Sequence, residues 1–346
     1  MEISDAVRAQ FNADFDGPAR AIYEWTLCAR RIPSTKRMLA QALRREMTPR
    51  PPPDCPQIEV PETLMRDVRR EQVLVPGPPS APDVRALVYH PPASAAPAHE
   101  PPAAVPPPAL VYFHGGGWCL GEPEGVDLIA RKLCLLAGVV VVSVAYRLAP
   151  EHPYPAGLDD CAAVYRWVRG AGAMRLGADG SRVVVGGDSA GGNLAAALTL
   201  RVRDEDGPPP SASLLLCPAT DFWFERYESC RRLGPNSIPY DLPFLGYVRS
   251  AYAPFELWEH PYVSPLRGDL RGFGPGLVIA GGADPLCDDN RAFAAQLAAA
   301  GNDAALRLYD AMPHGFYYLL GLSREEDDAY QAMAAFLRRT LAPSSR

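Results

Sequence analysis

The sequence contains no uninterrupted run of about 18 apolar residues, the length that a membrane-spanning helix requires. Its first ten residues, MEISDAVRAQ, include acidic side chains and no apolar stretch, so they are not typical of a secretory signal peptide. We therefore expect a cytoplasmic protein without stable insertion into a membrane.

Cysteine is sparse and basic charge is dispersed. The eight cysteines among 346 residues include no Cys-x-x-Cys pair, which leaves a disulfide framework or a zinc site with little support. The formal net charge is -6 and there is no long block of lysine and arginine, which argues against a nucleic-acid partner.

With 48% hydrophobic residues, the chain can bury the core of one large α/β domain with a smaller subdomain.

Apolar runs alternate with helix-like segments over most of the chain. The clearest runs lie at 139–146, 183–187, 214–217, 277–282 and 306–309. Continuous leucine and β-branched runs between helices are typical of strands that are buried on both faces. The sequence therefore predicts an α/β fold in which a mainly parallel sheet is covered by helices on both faces.

One stretch interrupts this alternation. Residues 222–262 contain eleven aromatic side chains in 41 positions and no clear strand pattern. An insertion after a sheet strand lies where active-site loops emerge, which is typical of a cap. The domain prediction is N-terminal cap helices over 1–50, an α/β domain over 51–221 and 263–346, and a cap insertion over 222–262. The aromatic rings either line a substrate pocket or attach the cap to the sheet.

Two glycine-rich segments carry the strongest chemical signal. HGGGW at 114–118 and GDSAGGN at 187–193 each follow an apolar run. The second places Ser189 in G-x-S-x-G spacing, a tight turn between a strand and a helix that presents a nucleophilic hydroxyl. Backbone N–H groups of both segments can stabilise a developing oxyanion. The predicted oxyanion hole comprises Gly115, Gly116, Gly117 and Ala190. Together the two segments predict a serine hydrolase.

The general base can be found by elimination. In a G-x-S-x-G hydrolase, the acid and then the histidine follow the serine along the chain. Of six histidines, only His260 and His314 follow Ser189. His260 leaves little sequence before it for a strand that supplies the acid, whereas His314 lies on a loop after the last strand. We therefore predict that His314 is the base.

The acid is expected between the nucleophile and the base, at the carboxyl end of a strand. Asp284 follows the run LVIAGGA, and Pro285 after it favours a loop. Asp288 and Asp289 are rivals, but they fit better in the first turn of the next helix, where the helix dipole favours carboxylates. The predicted catalytic residues are Ser189, Asp284 and His314.

With these residues in place, the chain resembles the hormone-sensitive lipase family of α/β-hydrolases, the bacterial family IV esterases. The matching segments are HGGGW, YRLAPEHPYPA, GDSAGGN, DPLCD and HGF. The resemblance implies the α/β-hydrolase fold, with an eight-stranded, mostly parallel sheet and a mainly helical cap. It also implies hydrolysis of short- to medium-chain acyl esters with no cofactor and no metal.

The expected partner is a small acyl ester, and the residues expected to contact it are Trp118, Phe222, Trp223 and Phe316. Two alternatives stay open: a deacetylase or amidase acting on a secondary metabolite, and a non-catalytic ligand-binding protein on the hydrolase fold. Related receptors commonly lose the histidine, whereas His314 is present here. The resemblance is compatible with a homodimer, and no residue pattern decides the oligomeric state.

Overall fold

The computed structural model of this protein describes residues 62–92, 105–234, 242–318 and 323–342. The predicted N-terminal cap helices over 1–50 lie outside the described residues. None of the described helices combines the length and the apolar composition that a membrane crossing needs.

A single eight-stranded sheet organises the described part of the chain. Its strands are β1 (Arg69–Val75), β2 (Val84–His90), β3 (Pro108–Phe113), β4 (Val140–Val144), β5 (Asp179–Asp188), β6 (Ser213–Leu216), β7 (Gly276–Gly281) and β8 (Ala304–Tyr309). Their spatial order is β1-β2-β4-β3-β5-β6-β7-β8. Strand β2 is antiparallel to β1 and β4, and the other neighbouring pairs are parallel. The predicted eight-stranded, mostly parallel sheet is therefore confirmed.

The side chains of the central strands build two cores, one on each face of the sheet. Successive residues of a strand point to opposite faces. In β4, Val140 and Val142 join one hydrophobic cluster and Val141 joins the other. All five residues of β4 are buried, whereas the edge strand β8 is mostly half-buried. The continuous valine run is thus explained by burial on both faces.

Helices cover both faces. Nine α-helices lie within the described ranges: α1 (Glu62–Asp67), α2 (Asp127–Ala137), α3 (Ala156–Arg169), α4 (Ala171–Leu176), α5 (Ala190–Asp204), α6 (Glu228–Leu233), α7 (Leu242–Tyr252), α8 (Cys287–Ala299) and α9 (Arg324–Thr340). Residues of α2 and α9 belong to the core on one face, and residues of α3, α5 and α8 belong to the core on the other. Helix α9 begins with a capping interaction, because the Ser323 hydroxyl accepts the Glu326 N–H at 3.0 Å.

The predicted cap insertion is described over 222–234 and 242–262. It forms α6, α7 and two short 3-10 turns, and these described residues form no strand. Helix α6 attaches to the start of α8 through Ser229, whose N–H donates to Asp288 Oδ2 at 2.8 Å while its hydroxyl accepts the Asp288 N–H at 3.1 Å. The insertion is therefore fixed to the segment that follows β7.

Arg249 of α7 holds the cap insertion together. Its guanidinium donates to Phe222 O at 2.6 Å and to the two oxygens of Glu225 at 2.7 and 2.9 Å. The guanidinium carbon also lies 3.9 Å from the centre of the Trp258 ring, a cation–π contact. Because Arg249 is only 8% exposed, water competes little for these contacts.

Candidate active site

Ser189 lies at the turn between β5 and α5 with a φ of 54°, in a region that serine rarely adopts. The flanking glycines make this turn sterically possible. A Cβ atom on Gly187 or on Gly191 would collide with the carbonyl group of Phe113 in β3. The Ser189 N–H donates to Leu216 O of β6 at 2.8 Å. The G-x-S-x-G spacing thus positions the serine where three neighbouring strands end.

Asp284 and His314 lie on the loops that follow β7 and β8. His314 Nδ1 donates to Asp284 Oδ2 at 2.7 Å, and the Leu286 N–H donates to Asp284 Oδ1 at 2.8 Å. Asp284 is fully buried and His314 is 9% exposed, so solvent competes little for this hydrogen bond. Both side chains line the same cleft as Ser189. The structure therefore brings the three predicted catalytic residues together.

The rival residues have other partners. His260 packs against the rings of Tyr154 and Tyr262 and does not line the cleft. Asp288 accepts the Ser229 N–H, and Asp289 accepts both the N–H and the hydroxyl of Thr220. Both side chains lie in the first turn of α8, as the sequence pattern predicts.

The loop after β3 turns at Gly116 and Gly117, whose φ values are 116° and 59°. Residues with a Cβ rarely adopt such backbone angles. A Cβ atom on Gly117 would also lie only 2.7 Å from Cγ1 of Val248 in α7. Two glycines are therefore needed here, both for the backbone turn and for the close approach of the cap.

His114 braces the start of this loop. Its Nδ1 donates to Gly115 O at 2.8 Å, and its ring stacks on Tyr146 with 4.3 Å between centroids. The Tyr146 hydroxyl donates to His114 O at 2.7 Å. Burial lowers the pKa of His114 to about 4. At neutral pH the imidazole is therefore uncharged and holds the loop in place.

Asp188, directly before Ser189, accepts hydrogen bonds from the Tyr112 hydroxyl at 3.0 Å and from the Tyr318 hydroxyl at 2.8 Å. Its carboxylate also packs against Gly115, where an added Cβ atom would lie 2.3 Å from Asp188 Oδ2. Burial raises the pKa of Asp188 to about 6, although these donors act in the opposite direction. Gly115 belongs to the loop after β3, and Tyr318 to the segment after His314. One buried carboxylate thus joins two loops of the site.

Apolar side chains form most of the cleft around Ser189. Among the described residues that line it, Asp284 and His314 are the ionisable ones. The large apolar residues in the lining are Trp118, Phe224, Phe244, Leu245, Val248 and Leu286. Four of these come from the cap insertion, so the cap supplies much of the surface that a ligand would contact.

The four aromatic residues expected to contact the substrate have different positions. Trp118 lines the cleft. Phe222 is fully buried behind it, with 5.0 Å between the two ring centroids. Trp223 packs edge-on against Trp258 within the cap, and Phe316 is buried among other aromatic rings after the histidine loop. Phe222 and Phe316 thus lie in the interior, Trp223 is half-buried, and none of the three belongs to the lining of the cleft.

Sequence reasoning did not single out Asn193, which is fully buried beside the cleft. Its Nδ2 donates to Ala219 O at 2.8 Å and to Val263 O at 2.9 Å, and its Oδ1 accepts from Trp118 Nε1 at 3.3 Å. A buried polar side chain needs such partners. The sequence did contain a pointer to this residue, because Asn193 is the last residue of the GDSAGGN segment.

Comparison with known proteins identifies the family of the chain. Residues 110–318 match the family described as alpha/beta hydrolase fold. The chain is 36% identical to the Carboxylesterase NlhH of Mycobacterium tuberculosis over 277 residues, 75% of this chain and 79% of that protein. It is 37% identical to the Carboxylic ester hydrolase LipN of the same organism over 281 residues, 77% of this chain and 73% of that protein.

A solved structure of an esterase from Pyrobaculum calidifontis is 33% identical, with a TM-score of 0.72, and the match covers 79% of this chain and 86% of that chain. Fold and cleft define the protein class as an α/β-hydrolase. The chain belongs to the alpha/beta hydrolase fold family and, within it, to the hormone-sensitive lipase type, the bacterial family IV esterases.

Proposed function

We propose that the protein is a serine carboxylesterase that hydrolyses short- to medium-chain acyl esters. The observation that carries this proposal is the 2.7 Å hydrogen bond between His314 and Asp284 in the cleft that also holds Ser189. A histidine oriented by a buried carboxylate acts as a general base towards a neighbouring hydroxyl. The relatives named carboxylesterase and carboxylic ester hydrolase support the same class.

In the proposed reaction, His314 removes the proton of the Ser189 hydroxyl as its oxygen attacks the acyl carbonyl. Asp284 holds the imidazole through the Nδ1–H, which leaves Nε2 to take the proton, and stabilises the imidazolium that forms. His314 then gives the proton to the leaving alcohol. The same imidazole activates the water that hydrolyses the acyl-enzyme.

The developing charge on the carbonyl oxygen requires nearby N–H donors. The Ala190 N–H, at the start of α5, and the N–H groups of Gly116 and Gly117 fill this role in the proposal. Gly115 has a supporting role, because it packs directly against the carboxylate of Asp188. Loss of one oxyanion donor costs on the order of 3 kcal/mol in the transition state.

The lining of the cleft supports an uncharged, apolar acyl group. Phe224, Phe244, Leu245 and Val248 of the cap face this space together with Leu286. Among the described lining residues, no lysine or arginine is present to pair with an acidic substrate. A pocket of this composition binds hydrocarbon by removing apolar surface from water.

Steady-state hydrolysis of p-nitrophenyl esters from acetate to palmitate tests the proposal. We expect the highest kcat/KM at chains of about four to eight carbons. Ser189→Ala should lower kcat by roughly 10⁴-fold or more. Ser181→Ala, an exposed serine near the opposite end of β5, is the matched control and should keep wild-type activity. Full activity of Ser189→Ala would overturn the proposal.

Covalent labelling provides a second test. A fluorophosphonate probe reacts with an activated serine hydroxyl, and mass spectrometry of the digested protein locates the adduct. We expect the adduct on Ser189 in the wild type, and slower labelling in His314→Ala because the base is absent. A matched pair of butyrate ester and butyranilide completes the comparison. Faster turnover of the anilide than of the ester would mean that the protein is an amidase and not an esterase.

A further inference from the structure

The hydroxyl of Tyr318 joins the segment of the predicted base to the segment of the predicted nucleophile. Tyr318 lies shortly after His314 in the chain, and its hydroxyl donates to Asp188 Oδ2 at 2.8 Å. Asp188 is buried and directly precedes Ser189. The two bonded residues are 130 positions apart in the sequence. Neither the G-x-S-x-G pattern nor the proposed mechanism assigns a role to Tyr318.

The chain from His314 to Tyr318 forms a tight turn. It contains the 3-10 helix Phe316–Tyr318, and the Tyr318 N–H donates to Gly315 O at 2.9 Å. A Cβ atom on Gly315 would lie 3.4 Å from Tyr318 Cδ2, so the tyrosine ring packs close to this residue. Because His314 directly precedes Gly315, a displacement of Tyr318 is passed on to the imidazole.

The sheet holds the acceptor of this hydrogen bond in place. Asp188 is the last residue of β5, and its Oδ1 accepts the hydroxyl of Tyr112 in β3 at 3.0 Å. Both strands lie in the middle of the sheet. A Cβ atom on Gly115 would collide with Asp188 Oδ2, so the carboxylate also fits closely against the loop after β3. The hydrogen bond therefore fixes Tyr318 relative to a carboxylate that is already held.

The charge of Asp188 strengthens this hydrogen bond. The pKa of Asp188 is about 6, so the carboxylate is ionised at pH 8, and a hydrogen bond to an ionised acceptor is about twice as strong as one between neutral groups. Tyr318 is 37% exposed and does not belong to the described lining of the cleft. Removal of its hydroxyl therefore leaves the surface that a substrate would contact unchanged.

We infer that Tyr318 is a positioning residue for the reaction, whose hydrogen bond to Asp188 keeps the imidazole of His314 within reach of the nucleophile. This inference rests on the proposed function. A general base must lie within hydrogen-bonding distance of the proton that it removes, and a misplacement of about 1 Å can cost a factor of about 100 in rate. Asp284 orients the imidazole, and the hydroxyl of Tyr318 fixes the turn that carries it.

The test is steady-state hydrolysis of p-nitrophenyl butyrate at pH 8 by wild type and by Tyr318→Phe, which removes only the hydroxyl. We expect kcat to fall by roughly 3- to 30-fold, because the base is held less firmly. KM should change by less than about 2-fold, since the lining of the cleft is intact. Titration of reactive serines with a fluorophosphonate probe gives the concentration of active sites, so an unfolded fraction does not affect kcat.

Tyr262→Phe is the matched control. The Tyr262 hydroxyl donates to Asp204 Oδ2 at 2.9 Å, which is the same type of hydrogen bond at nearly the same length. Neither residue lines the cleft. This variant should keep the wild-type kcat and KM.

A double-mutant cycle tests whether Tyr318 acts through Asp188. Asp188→Ala removes the acceptor, so Tyr318→Phe in that background should lower kcat by a further factor of about 2 or less. If Asp188→Ala does not fold, Tyr112→Phe provides the comparison, because it removes the other hydroxyl from the carboxylate and leaves the hydrogen bond of Tyr318 in place. Tyr112→Phe should lower kcat less than Tyr318→Phe does, since Asp188 still belongs to β5.

Four results overturn the inference alone. The first is a wild-type kcat for Tyr318→Phe, and the second is a higher KM with an unchanged kcat, which means that the hydroxyl contacts the substrate. The third is a full loss on Tyr318→Phe in the Asp188→Ala background. The fourth is an equal loss of kcat in Tyr112→Phe, which means that the hydroxyls act only on the carboxylate.

The variant Ser189→Ala separates these failures from a failure of the proposed function. If Ser189→Ala keeps wild-type activity, the proposed function fails and the inference fails with it. If Ser189→Ala is inactive and one of the four results is found, the serine esterase proposal stands and only the role of Tyr318 is wrong.

Discussion

Val248 of the cap packs against Gly117 of the loop after β3, and the space between them is too small for a methyl group on the glycine. A Cβ atom built on Gly117 lies 2.7 Å from Val248 Cγ1 and 2.9 Å from Val248 Cβ. Both residues line the cleft. The proposed oxyanion donors and the proposed acyl pocket therefore meet at this contact.

Gly117→Ala should reduce activity strongly. The added methyl group collides with Val248, and alanine at a φ of 59° costs about 1–2 kcal/mol. If the loop shifts and one oxyanion donor is lost, kcat/KM falls by roughly 100-fold. Gly125→Ala is the control, since a Cβ at Gly125 meets nothing within 4 Å. Kinetics on p-nitrophenyl butyrate measure both variants, and equal activity of the two would contradict this account of the loop.

Substitution of Val248 should change the preferred acyl chain. Val248→Ala removes two methyl groups from the lining of the cleft, so the chain-length optimum should move to longer esters. Val248→Phe fills the space and should shorten the optimum. The measurement is kcat/KM across the p-nitrophenyl series. Val202→Ala, a buried valine of α5 that does not line the cleft, controls for destabilisation. An unchanged optimum in both Val248 variants would mean that acyl chains bind elsewhere.

Arg249→Ala should destabilise the protein more than removal of an exposed arginine. Arg249 is buried, and its loss leaves the Phe222 carbonyl unpaired and breaks the ion pair with Glu225. We expect a decrease in the free energy of unfolding of about 2–4 kcal/mol. Arg339→Ala breaks an exposed pair with Asp303 and should cost about 1 kcal/mol or less. Urea unfolding compares them, and equal losses would contradict the role of Arg249 in the cap.

Asp289→Asn should change the pH dependence of stability. Burial raises the pKa of Asp289 from 3.8 to about 8. Between these values the unfolded chain is ionised at this residue while the folded protein holds the proton, so stability falls as pH rises. Asparagine removes this dependence. The advantage of Asp289→Asn over wild type in the free energy of unfolding should therefore grow by about 1–3 kcal/mol between pH 5 and pH 8.

The matched control for this experiment is Glu256→Gln, an exposed residue of the cap. Its stability difference from wild type should stay constant across the same pH range. A constant difference for Asp289→Asn as well would show that the folded protein holds Asp289 ionised throughout.

The alternation of strands and helices and the positions of the site loops were predictable because they depend on local patterns. A continuous valine run such as that of β4 is typical of a strand that is buried on both faces, as in the centre of a parallel sheet. A serine between Gly187 and Gly191 requires a tight turn, because side chains at these two positions would collide with β3. The chain order of nucleophile, acid and base then selected Asp284 and His314 from a small number of candidates.

The lining of the cleft was less predictable. Phe222 and Phe224 are two residues apart, yet Phe224 lines the cleft whereas Phe222 packs behind Trp118. The chain there forms a short 3-10 turn, which has no long periodicity from which a face can be assigned. Helix α7 did offer a pattern, since Phe244, Leu245 and Val248 share one side of a helix.

The environment of Cys217 could not be predicted from its own segment. In the sequence it is the last residue of an apolar run, and a buried cysteine is the ordinary interpretation of that position. Its sulfur lies within 4.8 Å of a carboxylate oxygen of Asp284 and of a ring nitrogen of His314, which follow two later strands. Their proximity depends on the register between β6 and β7, which pairs Leu216 with Ile279, and this register is a property of the folded sheet.

The separate origins of the reactive groups and of the cleft lining affect how such a protein can evolve. The proposed nucleophile, acid and base follow strands of the sheet, whereas Phe224, Phe244, Leu245 and Val248 belong to one inserted segment. Mutations in that segment can alter which molecules fit while the reacting atoms stay in place. Descendants of one ancestral gene can therefore acquire new substrates through changes in a short stretch of DNA.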